Sequence, residues 1–225
     1  ASVSDGRGVD WTPEQRIDAG SGNGFGVVVG VAVVGSNVYA AWRDGRADNG
    51  AAELYFNRSL DGGQTWLGER RVPTVAPHGA EFVQGTRLRA FAQGAADTLH
   101  LVFTRRASAS SVVDELYLVS SFDGGSSFGP PVAIPRLPPG SADVDGFDVA
   151  LDGGALYVAW ADDRNGLDDP WLQVSSDGGA TWLPADTELD QDVSSSGSVN
   201  TGPLLAASAG RLAVGRKPEQ PQHDG

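Results

Sequence analysis

The chain of 225 residues contains no cysteine, no methionine and a single lysine, Lys217. Without cysteine there is no disulfide framework, no thiolate metal site and no thiol nucleophile. No apolar run approaches the roughly 20 residues that a membrane-spanning helix needs. Positive charge is scarce: 16 basic against 29 acidic side chains leave a formal charge of −13. That balance repels phosphate backbones and anionic lipid, so it excludes nucleic acid as a partner and gives no basis for membrane insertion. Apolar residues at helical spacing are missing over any useful length. What remains is 31 glycines, 13 prolines and 40% hydrophobic residues, a composition that suits a globular all-β chain. The chain opens at Ala1 with neither a charged n-region nor an apolar h-region, which reads as a processed chain whose signal peptide is gone.

Self-similarity supplies the strongest positive signal. Three segments match closely: Ser59-Leu-Asp61-Gly62-Gly63-Gln-Thr65-Trp66, Ser121-Phe-Asp123-Gly124-Gly125-Ser-Ser-Phe128 and Ser175-Ser-Asp177-Gly178-Gly179-Ala-Thr181-Trp182. A degenerate copy spans 4–11, with Gly6 in place of the aspartate and Trp11 at its end. The closing aromatics, at 11, 66, 128 and 182, are 55, 62 and 54 residues apart, a blade-sized period too long for helical solenoids. Between these segments, hairpin signatures recur near 27–43, 86–104, 147–161 and 203–216. A third strand precedes each good copy (Glu53 to Phe56, Glu115 to Leu118, Pro170 to Leu172), and a fourth ends near Val72, Ile134 or Leu189. Four antiparallel strands per repeat and no helix predict a β-propeller of about four blades' worth of chain, in one domain over 1–225 with a Pro-rich tail at 217–225. Two arrangements fit: a closed four-bladed ring, or an excerpt of a longer propeller.

The repeated turn has a physical logic. Paired glycines allow the positive φ of a tight hairpin, while the serine hydroxyl and the carboxylate accept amide hydrogens inside it. Ser59, Asp61, Gly63 and Trp66, with Ser121, Asp123, Gly125 and Phe128, and Ser175, Asp177, Gly179 and Trp182, are therefore read as structural.

These segments resemble the Asp-box, or bacterial neuraminidase repeat, of sialidases and related secreted propellers. The resemblance covers nearly all of the chain and implies architecture and secretion rather than one reaction. It further implies a six-bladed parent fold if the chain is part of a sialidase, and a ligand face opposite the Asp boxes. That face takes the loops joining second to third strands and those joining successive blades. Its arginines are Arg43, Arg46, Arg105, Arg106 and Arg164, with Arg87 and Arg89 from an entering strand. Sialidases hold the sugar carboxylate with three arginines, and bidentate charge-assisted bonds explain that choice. The Asp-x-Arg spacing shared by Asp44/Arg46 and Asp162/Arg164 equally suits a salt bridge built into each loop.

Glycoside hydrolysis needs two acidic groups, or the sialidases' tyrosine, glutamate and aspartate. Glu81, Asp145 and Asp148 are the candidate catalytic groups; the four tyrosines occupy repeated strand positions and read as packing. Asp143, Asp145 and Asp148 also offer oxygen ligands for Ca2+, though not at EF-hand spacing, and no other cofactor is indicated. The leading expectation is a secreted, non-catalytic module that binds glycan or a glycoprotein surface, or serves structure. The competing expectation is a sialidase-like glycoside hydrolase, and a third is a protein-interaction platform.

Overall fold

The computed structural model describes residues 1–4, 8, 10–19, 27–46, 52–75, 82–93, 96–106, 110–166, 168–189 and 202–215; of 27–29, 82 and 84–93 it describes the backbone alone. The strands form meanders. The first sheet runs β1 (Val27–Val34), β2 (Asn37–Asp44), β3 (Glu53–Ser59), β4 (Arg70–Arg71). The second runs β5 (Phe82–Gln93), β6 (Ala96–Arg106), β7 (Asp114–Ser121), β8 (Val132–Ala133). The third runs β9 (Val144–Asp152), β10 (Ala155–Asp162), β11 (Asp169–Ser175), β12 (Thr187–Glu188). A hairpin of β13 (Leu204–Ser208) and β14 (Arg211–Gly215) follows. All four expected hairpins, and each expected third and fourth strand, lie where the sequence pattern puts them. Among the described residues there is no helix. The degenerate repeat lies partly outside the described residues, and the tail at 217–225 wholly so.

The chain divides into two compact units, Ala1–Ser110 with Tyr117–Val132 and Ser111–Leu116 with Ala133–Gly225. In the first, Tyr39, Leu54, Phe56, Leu99, Leu101, Phe103 and Val119 form one buried cluster between the first two sheets. Both faces of β2 are covered, which is why Val38 to Trp42 is an unbroken apolar run rather than an alternating one. The second unit repeats this in β10, where Leu156 and Val158 to Ala161 are buried.

The three Gly-Gly corners join third to fourth strands and are built alike. Ser59, Ser121 and Ser175 each donate a hydroxyl to the aspartate two residues on, at 2.7, 2.8 and 2.7 Å. Each of these hydroxyls also accepts the amide of the second glycine, at 2.8, 2.8 and 2.7 Å. The other aspartate oxygen accepts the hydroxyl of Thr65, Ser127 or Thr181 at 2.6 Å. A backbone bond closes the base of each corner: Leu67 to Arg58 at 3.0 Å, Gly129 to Ser120 at 2.9 Å, Leu183 to Val174 at 3.2 Å. The N-terminal copy retains part of this frame. The Gly8 amide donates to Ser4 Oγ at 3.0 Å and Thr12 closes on Val3 at 2.9 Å.

Within the first unit the corners also fasten sheet to sheet. Phe128 meets Phe56 edge-on at 5.0 Å. Arg58 donates to the carbonyls of Asp123 and Gly124, and Arg70 to that of Ser126. One repeat earlier, Gln15 donates to the Gln64 carbonyl at 3.5 Å, and Val3 lies under Gly63 as Phe56 lies under Gly125. Val3 and Gln15 thus dock on the corner of the first sheet much as Phe56 and Arg58 of the first sheet dock on the corner of the second. Asp97, beside the β5–β6 turn, accepts from Asn37 at 2.8 Å and from the Tyr39 hydroxyl, tying the first two sheets at that end.

In the second unit β13 lies along β9. The Leu205 amide donates to Asp148 Oδ2 at 2.9 Å and the Gly210 amide to Asp152 Oδ2 at 2.5 Å. Gly202 sits so close to the backbone of Gly146 that a Cβ would come within 2.5 Å of it.

Candidate functional site

Meander topology puts the β2–β3, β6–β7 and β10–β11 connections at the strand ends away from the corners of their own sheets. Two of these connections hold an arginine built in the same way. Arg46 donates to Asp44 Oδ2 at 2.5 Å and to both oxygens of Glu69, and its guanidinium lies 4.2 Å from the Tyr55 ring centroid. Arg164 donates to both oxygens of Asp162, at 2.8 and 2.6 Å, and to Asp186 at 2.7 Å, and lies 3.9 Å from the Trp171 ring. In each case the planar cation is held edge-on by carboxylates and face-on by an aromatic ring, a combination lysine cannot reproduce. Burial is the largest single influence at Arg164 and lowers its pKa, but the bonds and charges of Asp162 and Asp186 together outweigh it; at Arg46 the bonds to Glu69 and Asp44 lead, so both guanidinium pKa values are raised. Asp162 is fully buried and also accepts Trp160 Nε1 at 2.7 Å. Asp186 further accepts Gln173 Nε2 at 2.9 Å and the Arg136 amide at 3.0 Å.

The Asp-x-Arg spacing was legible in the sequence, but Glu69 and Asp186 were not picked out. Their signal is positional: each lies ten or eleven residues beyond its corner serine, before the fourth strand. Arg71 pairs with the buried Glu53 at 3.0 Å, and Glu53 accepts the Tyr55 hydroxyl at 3.1 Å. Burial, and then the bond to Glu53, raise the Tyr55 pKa, which is the opposite of what a phenolate nucleophile needs.

The second sheet departs from this pattern. Phe103 stacks on Tyr117 at 6.1 Å as Trp42 does on Tyr55 at 6.3 Å, so Arg105 stands where Asp44 and Asp162 stand in the other two sheets. Arg105 is buried, 5.7 Å from the Tyr117 ring, and Arg106 ends β6 opposite Phe82. Arg43 donates to the Val83 carbonyl at 3.2 Å. Arg87 and Arg89 pair along the backbone with Val102 and His100, and their side chains lie outside the described residues. Glu81 lies outside them too.

The three acidic candidates in the second unit do not converge. Asp148 is buried in β9, with one oxygen accepting the Val149 amide at 2.8 Å and the other the Leu205 amide at 2.9 Å. Asp145 is exposed at a bulge, where the register jumps from Gly146 opposite Ala161 to Val144 opposite Asp162. Asp143 accepts the Asp114 amide at 2.5 Å, and its own amide donates to Asp163 at 2.8 Å. Burial raises the Asp143 pKa, helped by the neighbouring charges of Asp114, Asp145 and Asp163. Asp143, Asp145 and Asp148 do not gather into a Ca2+ site: among the described residues no group of three or more acidic or histidine side chains is placed to hold a metal. The physical reason is that both Asp148 oxygens are taken by amides while Asp145 stands out in solvent.

No protein-family model matches the sequence. No curated protein matches it either. Solved structures do. A protein of unknown function from Dyadobacter fermentans matches 80% of this chain and 55% of its own at 17% identity, with a TM-score of 0.56. The family 93 α-L-arabinofuranosidase of Fusarium graminearum, complexed with arabinobiose, matches 72% of this chain and 48% of its own at 17% identity, TM-score 0.52. The α-L-arabinanase of Penicillium chrysogenum, also with arabinobiose, matches 72% and 49% at 19% identity, TM-score 0.51. The chain spans about half the length of the solved structures it matches. At these identities the likeness shows the fold, an all-β architecture of antiparallel sheets of the β-propeller kind.

Proposed function

We propose that this chain is a secreted Asp-box propeller module that binds glycan on the face opposite its corners and does not cleave it. The carrying observation is the disposition of the acidic candidates. A glycosidase sets two carboxyl groups across the scissile bond, one of them free to move a proton. Here Asp148 gives both oxygens to backbone amides and Asp145 faces solvent apart from it. Arg46 and Arg164 are engaged with four carboxylates between them, so their part is to fix the loops. Ligand contacts are assigned to Arg105 and Arg106 at the end of β6, with Arg87 and Arg89 on the neighbouring β5, and to Arg43 near the end of β2 in the first sheet. Two fold neighbours were solved with arabinobiose bound, which makes a neutral or acidic oligosaccharide the class to screen first.

Asp143 favours a second reading. A carboxyl group whose pKa is raised by burial and by neighbouring aspartates has the property a general acid needs, and it lies in a loop away from the corners. The two readings separate in one experiment. The chain is screened on a glycan array and assayed against aryl glycosides, arabinofuranosides and sialosides included. Binding without turnover is expected. Turnover that disappears in Asp143→Asn would establish the hydrolase instead, and the absence of any glycan binder would remove both readings.

A further inference from the structure

We infer that Asn165 is a site of spontaneous covalent modification, converting to aspartate and isoaspartate through a cyclic imide. Asn165 is exposed in the β10–β11 connection and is followed by Gly166. Glycine at this position carries no Cβ to block the approach of its own amide to the preceding side chain, and nothing lies within 4 Å of where a Cβ would be. In the step itself, base removes the Gly166 amide proton and the nitrogen bonds to Asn165 Cγ. The Cγ–Nδ2 bond breaks and the nitrogen leaves as ammonia. Water then opens the imide at either carbonyl. Two contacts hold the starting state: the Gly166 amide donates to the Asp163 carbonyl at 2.7 Å, and Asn165 Nδ2 donates to Asp169 Oδ2 at 3.2 Å. The first must open before attack. The second cannot re-form, because the product is a carboxylate with no hydrogen to donate.

The new charge arrives in acidic surroundings. Asp162, Asp163 and Asp169 flank it, and the adjacent Arg164 is already engaged by Asp162 and Asp186. Conversion therefore replaces a hydrogen bond by repulsion at the turn that carries the Arg164 clasp.

The test uses the intact chain, incubated folded at pH 5 and at pH 8, with a parallel sample unfolded in urea at pH 8. Peptide mapping by mass spectrometry scores exchange of the side-chain NH2 for OH separately at Asn23, Asn49 and Asn165, and an isoaspartate-specific methyltransferase reports the isomer. Conversion at Asn165 in the folded sample, faster at pH 8 and abolished in Asn165→Gln, is expected. Hydrogen exchange should quicken at 165–169 in Asn165→Asp. A folded sample unchanged at Asn165 while the unfolded one converts would overturn the inference, since the 2.7 Å turn bond would then be protecting the site.

Discussion

Gly124→Ala and Gly125→Ala make a matched pair that isolates the close approach of a corner to the neighbouring sheet. Both residues have positive φ, +64° and +78°. An alanine in that region costs about 1–2 kcal/mol from backbone sterics alone, and this cost is common to the two variants. They differ in what the new methyl meets. At 124 the nearest atom is an Arg58 nitrogen at 3.5 Å, an ordinary contact. At 125 the methyl falls 2.5 Å from Phe56 Cζ and 3.1 Å from Leu99 Cδ1. Phe56 and Leu99 are fully buried in the cluster shared by the first two sheets, so neither has room to yield. Overpacking of this kind adds about 1–3 kcal/mol. Gly125→Ala is therefore expected to lose roughly 2–5 kcal/mol against about 1–2 for Gly124→Ala. Equilibrium urea unfolding followed by tryptophan fluorescence measures both, the midpoints being compared at a common m-value. Gly62→Ala, with φ +73° and nothing within 4 Å, should match Gly124→Ala. If Gly125→Ala were no worse than the other two, the docking of that corner on Phe56 would be wrong.

Arg164→Ala should destabilise by about 3 kcal/mol or more, because it strands the buried Asp162 and the nearly buried Asp186, whereas Arg16→Ala at an exposed, solvent-screened pair should leave the melting temperature nearly unchanged. Thermal melts of the two variants decide this. The corner aspartates give an acid limb: the Thr65 hydroxyl and amide pull Asp61 down to about 2, their Thr181 counterparts do the same to Asp177, and at Asp123 the Ser127 and Ser121 bonds outweigh an opposing burial to reach about 2. Folded values below the ordinary 3.8 mean stability present above pH 4 and lost as pH falls towards 2, with Asp→Asn at all three corners flattening that limb in an acid titration. His100 acts in a higher window, since burial lowers its pKa from 6.5 to about 4. The unfolded chain takes up that proton first, so stability should fall by on the order of 3 kcal/mol between pH 6.5 and 4, a loss that His100→Gln removes. Ser121→Ala, which strips the Gly125 amide and Asp123 of their shared partner, should cost about 1–2 kcal/mol by urea unfolding.

The strands were legible because their signals are local. Gly35 and Gly153 mark turns, β-branched runs mark the strands beside them, and the corner motif carries its own hydrogen-bond partners within five residues. The clasp around Arg46 was half legible: Asp44 is two residues away, while Glu69 is 23 residues away and becomes a neighbour only when β4 pairs with β3. Arg105 shows the same limit from the other side. Read as a linear segment, Arg105-Arg106 looks like one more basic loop, and only the stacking of Phe103 on Tyr117 reveals that it stands at a position held by aspartate in the other sheets. Asp148 looked free because its chain neighbours are apolar, yet it serves the amide of Leu205, which is 57 residues on.

Repetition itself then sorts scaffold from site. A feature that recurs with the same partners in different sheets answers to a demand all sheets share, and ligand recognition is no such demand. The corners recur, as does the clasp of Asp44, Arg46 and Glu69 in Asp162, Arg164 and Asp186; both hold connections in place. The second sheet has an arginine, Arg105, where the acid stands in the other two, buried and 5.7 Å from the Tyr117 ring. On a chain of charge −13, exchanging an acid for an arginine at that position lowers the repulsion an anionic ligand would meet there. Charge reversal tests the point: Arg105→Asp should restore the repeated acidic position and weaken any glycan binding, whereas Arg164→Asp should unfold the loop it serves.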